Sequence, residues 1–353
     1  MTVIASFVHD PHSMFLVGDL ITTTSNPDPS QFAPPLPSRF QAGQVAPSRN
    51  IVGLKQKVIC LKPRLAAAWA GPTMLAEQLL ARVRDLIGDE YTGEHVLDIL
   101  DSAGYSQTTL NEIAFIFYMF DNDGRVRVQG HNIGTYTDPA MPARRYMFAG
   151  SGKTHFLEML SSKFFPNGNW DELSKDLAVV FNRAALAFHE EITSDITHFY
   201  RYGGGFEVLA PDIIEKKMTK IPYSCAYWAF SDVDFGFTGP LVSYQYHNNG
   251  VLQIDRLATE EGRLVHHAFL VGNFFADPGA VSPLSPKVPL GPLVHYILDG
   301  RGETETLSGV VELGQTTFSI AASDGGWNLN LDRESTGFQL VEKSVDALRK
   351  RAI

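Results

Sequence analysis

Val3, Ala5 and Phe7 alternate with Thr2, Ile4 and Ser6 at the start of the chain. This period of two predicts a strand, which His9-Asp10-Pro11-His12 turns back into a second at Met14-Phe15-Leu16-Val17. From Ser25 to Gly53 the pattern breaks: Pro27, Pro29, Pro34, Pro35, Pro37 and Pro47 forbid a sustained period and predict a large surface insertion. Lys57–Leu61 and Leu65–Trp69 form the next strand pair, ending at Ala70-Gly71. Thr73 caps a helix through Ile87, with Leu75, Leu79, Val83 and Leu86 on one face, and Glu94–Ser102 is a shorter helix. Ala114–Tyr118 joins Val126 and Val128 through Asp121-Asn122-Asp123-Gly124, a hairpin signal. Arg145–Phe148 is a short strand leading to Gly150-Ser151-Gly152, and Lys153–Phe165 and Trp170–Glu191 read as helices.

After Met218 short strands dominate: Tyr223–Phe230, Leu241–Tyr246, Val251–Asp255 beyond an Asn249-Gly250 turn, Leu264–Val271, Val310–Leu313 and Thr317–Ala321, then one helix at Leu340–Arg351. Helices arrive in blocks between antiparallel hairpins instead of one after each strand. Stacked sheets covered by helices therefore suit the order better than a doubly wound parallel sheet. The expected fold class is α+β, with domains at 1–215 and 216–353.

Composition agrees with two domains: the chain has 353 residues, 44% of them apolar and 19% charged. Its formal charge, 29 − 39 = −10, disfavours nucleic acid and anionic membrane surfaces as partners. No uncharged apolar run nears the roughly 20 residues that span a bilayer, and the N-terminus has no basic leader, so the expected location is cytoplasmic. Two cysteines, Cys60 and Cys225, are too few for a disulfide framework or a paired-cysteine zinc site and read as inert core thiols.

Several motifs fail on spacing. Gly150-Ser151-Gly152-Lys153-Thr154 imitates the end of a P-loop, but Met147 stands where a phosphate-wrapping glycine is needed. Asp121–Gly124 has calcium-loop letters, yet Arg125 occupies the next ligand position. His189-Glu190 lacks a second histidine at Thr193, and His266-His267 would point to opposite strand faces. No metal and no cofactor is expected.

Thr2 carries more. A small residue after Met1 favours removal of the methionine, which would leave Thr2 with a hydroxyl nucleophile beside an α-amine of pKa about 7.7–8.0, suited to act as a base. Gly18-Asp19 closes the second strand, Lys57 opens the third, Gly71 ends the fourth and Gly150-Ser151-Gly152 starts a helix. Over about residues 2–210 this order resembles the β-subunits of the proteasome and their bacterial HslV-type and Anbu-type relatives, which are N-terminal nucleophile hydrolases. The resemblance implies a four-layer αββα sandwich followed by a β-rich domain. It also implies a threonine peptidase or amidohydrolase that acts on peptide or amide substrates inside a homo-oligomeric compartment, with an unfoldase as a possible partner.

By the same resemblance Thr2 is the nucleophile, Lys57 lowers the pKa of its amine, and Asp19 orients Lys57. Gly71 N–H would stabilise the oxyanion, while Ser151 and Asp195 would position the amine. Each position has an ordinary alternative: a strand-end turn for Asp19, a solvated strand start for Lys57, a backbone requirement for Gly71 and a plain helix cap for Ser151. Four features depart from the family pattern. Ile21 stands where a polar residue is usual two after the aspartate, the Asp19-to-Lys57 interval is more than doubled, His198 stands where a serine is expected three after Asp195, and Gly203-Gly204-Gly205 comes late. The alternative function is a catalytically silent proteasome-like assembly or binding protein.

Overall fold

The computed structural model describes residues 2–8, 14–23, 51–88, 91–138, 141–154, 204–230, 237–260, 263–283, 293–299, 308–312, 318–323, 326–331, 334 and 339. The chain divides into two compact units, Met1–Ser162 with Ala187–Ile221 and Gly272–Phe275, and Lys163–Leu186 with Pro222–Val271 and Ala276–Ile353.

In the first unit the elements run β1 (Ile4–Val8), β2 (Met14–Asp19), β3 (Ile21–Thr23), β4 (Ile51–Leu54), β5 (Val58–Lys62), β6 (Leu65–Ala70), α1 (Thr73–Leu86), α2 (Gly93–Asp101) and α3 (Gln107–Leu110). They continue with β7 (Ala114–Phe120), β8 (Val126–His131), β9 (Gly134–Asp138), β10 (Met141–Ala149), β11 (Phe206–Asp212) and β12 (Lys217–Lys220). One sheet has the order β12-β11-β2-β1-β10-β9, a second β5-β6-β7-β8, and β3 pairs with β4. The expected hairpins form, with β1 against β2 from Ile4↔Gly18 to Val8↔Met14 and β7 against β8 across the Asp121–Gly124 turn.

Alternation along the strands assigns each face. Ala66, Ala68 and Ala70 of β6 and Ile116, Tyr118 and Phe120 of β7 pack with Ile4, Leu16, Ala149 and Leu209 of the six-stranded sheet. The alanines leave room for the two sheets to approach closely. Trp69, Phe115 and Phe117 on the opposite face of the four-stranded sheet meet Leu75, Leu79, Leu80 and Val83 of α1 and Val96 and Leu100 of α2. Inside the sheet-to-sheet layer the Tyr118 hydroxyl accepts from Ser6 and shares its one proton between the carbonyls of Phe15, at 3.0 Å, and Phe7, at 3.3 Å, so the buried polar atom is satisfied.

The second unit contains β13 (Tyr223–Phe230), β14 (Phe237–Asn248), β15 (Val251–Glu260), β16 (Arg263–Val271), β17 (Leu293–Asp299), β18 (Ser308–Glu312), β19 (Phe318–Ser323) and β20 (Gly326–Leu331). Its main sheet has the order β16-β15-β14-β13-β17-β18, and β19 pairs with β20. Asn249 and Gly250, both at positive φ, make the tight turn between β14 and β15.

The αββα sandwich expected from the resemblance is not the architecture found. The described residues are sheet-rich, with twenty strands in several sheets that are antiparallel apart from the parallel β13–β17 pair, against three α-helices, and all three helices contribute to the core on one face of the four-stranded sheet. The physical reason is connectivity. Among the described residues, neighbours in sequence such as β1–β2, β5–β6, β7–β8 and β11–β12 satisfy one another's backbone groups across short turns, and helix covers only one face of the four-stranded sheet. The helices expected at 170–191 and 340–351 lie outside the described residues, as does that at 153–165 beyond Thr154.

Smaller expectations also change. The N-cap of α1 is Pro72, in an extended conformation and without a side-chain cap bond, so Thr73 is already helical. Ile51–Leu54, at the end of the expected insertion, is strand paired with β3. Cys60 is exposed instead of buried. No helix among the described residues is long and apolar enough to cross a membrane.

Candidate functional site

At the Asp19 end of β2 the chain folds back on its own beginning. The Asp19 N–H donates to the Val3 carbonyl at 3.1 Å, and Asp19 Oδ1 accepts from the Val3 N–H at 3.0 Å. The same oxygen accepts the Thr2 hydroxyl. Thr2 is 2% exposed and Asp19 is fully buried. A carboxylate taken out of water needs such donors, and here one oxygen fixes both the backbone and the hydroxyl of the first strand's leading residues.

Lys57 closes the other side. Its Nζ donates to the Ile21 carbonyl at 2.8 Å and lies 4.5 Å from the centre of the Trp69 ring. Ile21 thus serves Lys57 through its main chain, which any residue supplies, while its side chain packs with Leu54. Burial pushes the Lys57 ammonium below its ordinary value, and the charges of Asp19 and Glu207 oppose that shift.

The shift fixes the sign of a pH effect. From the folded-state value of Lys57 up to the ordinary 10.5, the unfolded chain binds more protons, so this group makes stability rise with pH. Tyr118, pushed up by burial, acts oppositely above about pH 10, where the unfolded chain ionises first. Denaturant unfolding at stepped pH should show a rising limb below pH 10 that Lys57→Met abolishes; an unchanged limb in the variant would assign it elsewhere.

Gly150 sits at φ +98° against the start of the chain, and the Gly152 N–H donates to the Thr2 carbonyl at 3.4 Å. Thr2, Asp19, Lys57 and the Gly150-Ser151-Gly152 turn are therefore gathered at one place. Gly71, at φ +132°, has Glu112 O where a Cβ would come within 2.6 Å, a backbone reason for glycine. Ser151 is exposed. Among the described contacts neither Gly71 nor the Ser151 side chain bonds to Thr2, and Asp195 lies outside the described residues.

Two residues absent from the sequence reading belong to the corner. Glu207, fully buried on β11, accepts the Lys57 N–H at 3.0 Å and the Val58 N–H at 3.2 Å through Oε2, and its Oε1 is ion-paired with Lys220. The available signal was a lone acid in the apolar run Phe206-Glu207-Val208-Leu209. Compared with known proteins, the chain matches no protein-family model and no curated protein.

Proposed function

We propose that the chain is a threonine-type peptidase or amidohydrolase whose nucleophile is Thr2, as its resemblance to proteasome-like N-terminal nucleophile hydrolases implies. The observation that supports this reading is the engagement of the Thr2 hydroxyl by buried Asp19 beside the buried ammonium of Lys57. The chemistry requires cleavage of the Met1–Thr2 bond, because a peptide nitrogen is planar and accepts no proton. Once freed, the α-amine takes the hydroxyl proton as Oγ1 adds to the substrate carbonyl and returns it to the leaving nitrogen. Water then releases the acyl group from the ester. Lys57 holds the amine's pKa down by like charge, and the Gly71 N–H faces the oxyanion. The substrates are peptides or related amides, the working form is a homo-oligomeric compartment, and an unfoldase is a candidate partner.

Incubation with a peptide epoxyketone or β-lactone, followed by intact-mass and peptide mapping, tests the reading. A single adduct on an N-terminal Thr2, absent in Thr2→Ala, is expected. A processed chain with free Thr2 that takes no adduct would overturn it. One observation favours the silent alternative for a chain that keeps Met1: Thr2 is almost wholly buried and its hydroxyl is already bonded to Asp19.

A further inference from the structure

We propose that Glu207 is a positioning residue for Lys57, with Lys220 as its counter-charge; the inference rests on the role given to Lys57 above. β5 is an edge strand, so the N–H groups where it begins need acceptors from outside their own sheet. Lys57 and Val58 are buried there, and one carboxylate oxygen, Glu207 Oε2, serves both N–H groups from 150 residues away in sequence. The other oxygen meets Lys220 Nζ, which also donates to the Val58 carbonyl and, at 3.3 Å, to Gln56 Oε1. Residues 56–58 are thus gripped through side chain, N–H and C=O at once.

The grip has a direction. Glu207 stands opposite Gly18 in the β11–β2 ladder, and a Cβ on Gly18 would lie 2.9 Å from the Lys57 Cβ. The lysine stem therefore passes over a glycine beside the carboxylate that holds its backbone, and its Nζ reaches the Ile21 carbonyl next to the Asp19 corner. Glu207 also contributes electrostatically, since its charge opposes the desolvation of the ammonium. A displacement of the backbone at 57 would swing Nζ away from both the Trp69 face and the corner, and sub-ångström placement matters in a reacting site.

The full-length protein carrying 13Cε-lysine tests this by NMR titration, with the Lys57 resonance identified from its loss in Lys57→Arg. Glu207→Gln, which keeps the volume and an acceptor but removes the charge, should lower the Lys57 midpoint by about one pH unit. Glu207→Asp, which keeps the charge, should shift it less. A folded Glu207→Gln protein with the wild-type Lys57 midpoint would overturn the proposal. Should that variant fail to fold through an unpaired Lys220, Glu207→Leu with Lys220→Met replaces the pair by apolar groups. The Lys57 and Val58 amides should then exchange about tenfold faster or more, with the rest of the sheet unchanged; wild-type protection would likewise overturn it. Neither readout requires turnover. Failure of wild-type Thr2 to take an adduct counts against the peptidase reading, whereas normal labelling with an unmoved Lys57 midpoint counts against this inference alone.

Discussion

Gly150→Ala is expected to cost about 3–5 kcal/mol of unfolding free energy and to dismantle the corner around Thr2. Two penalties combine. At φ +98° an L side chain is strained, which by itself costs about 1–2 kcal/mol. A Cβ at this position would also lie 1.9 Å from the Thr2 carbonyl oxygen and 2.6 Å from its carbon, and backbone atoms cannot step aside as a flexible side chain can. The clash can be relieved only by moving residue 2 or residue 150, and either movement breaks the Gly152-to-Thr2 hydrogen bond. Gly104 supplies the control, since its φ is +81° but nothing lies within 4 Å of a Cβ there. Gly104→Ala should therefore show the strain alone. Urea unfolding of the two variants separates the contributions. Equal losses in both would mean that the turn does not pack on Thr2, and the gathering of the site at Gly150-Ser151-Gly152 would have to be abandoned.

What could be read from the sequence was what neighbouring residues decide. The alternation through Val3, Ala5 and Phe7, the Asp121–Gly124 turn and the Asn249-Gly250 turn each carry their structure in a few positions, and their strands pair accordingly. The helix at Thr73–Leu86 follows equally from its apolar face. The number of layers is not a local property. Residues 114–120 are apolar throughout because β7 is buried on both faces, and such a run does not say whether a helix or another sheet covers each side. Hence the αββα expectation failed although many of its strands are present. Cys60 illustrates the same limit, as its β5 neighbours Val58, Ile59 and Leu61 are buried while it is exposed.

The candidate site divides along the same line. Asp19 and Lys57 sit at strand ends, where turn and register confine them, so their positions could be read from order along the chain. Glu207 acts through a ladder partner and a carboxylate bridge to residues 150 positions away, and nothing near it in sequence shows this. Ile21 shows the reverse. Its side chain is an ordinary apolar one, yet its carbonyl, which no sequence distinguishes, receives the Lys57 ammonium.

Ending the chain at Ile221 is expected to destabilise the first unit by about 3–5 kcal/mol, a large part of the 5–15 kcal/mol typical of a whole domain. Gly272–Phe275 belongs to the first unit. The Gly272 carbonyl accepts the Gln56 N–H at 2.9 Å, immediately before Lys57. The Phe274 ring lies 5.1 Å from Trp69, with Lys55 Nζ 4.3 Å from its centre, and Arg84 stands 4.0 Å from Phe275. Trp69 in turn carries Lys57 Nζ on its ring, so four residues from late in the chain back the lysine of the candidate site. The truncated chain leaves the Gln56 N–H without this acceptor and Trp69 without its aromatic neighbour. Denaturant unfolding should show the lower midpoint. In a Trp170→Phe background, where Trp69 is the one remaining tryptophan before Ile221, its emission should move to the red as water reaches the ring. Phe274→Ala in the full chain should reproduce the aromatic part of the loss, about 2–3 kcal/mol for a partly buried ring, while retaining the Gly272 bond. A truncated chain with the full-length midpoint and unshifted Trp69 emission would show that Gly272–Phe275 adds nothing to the support of Lys57.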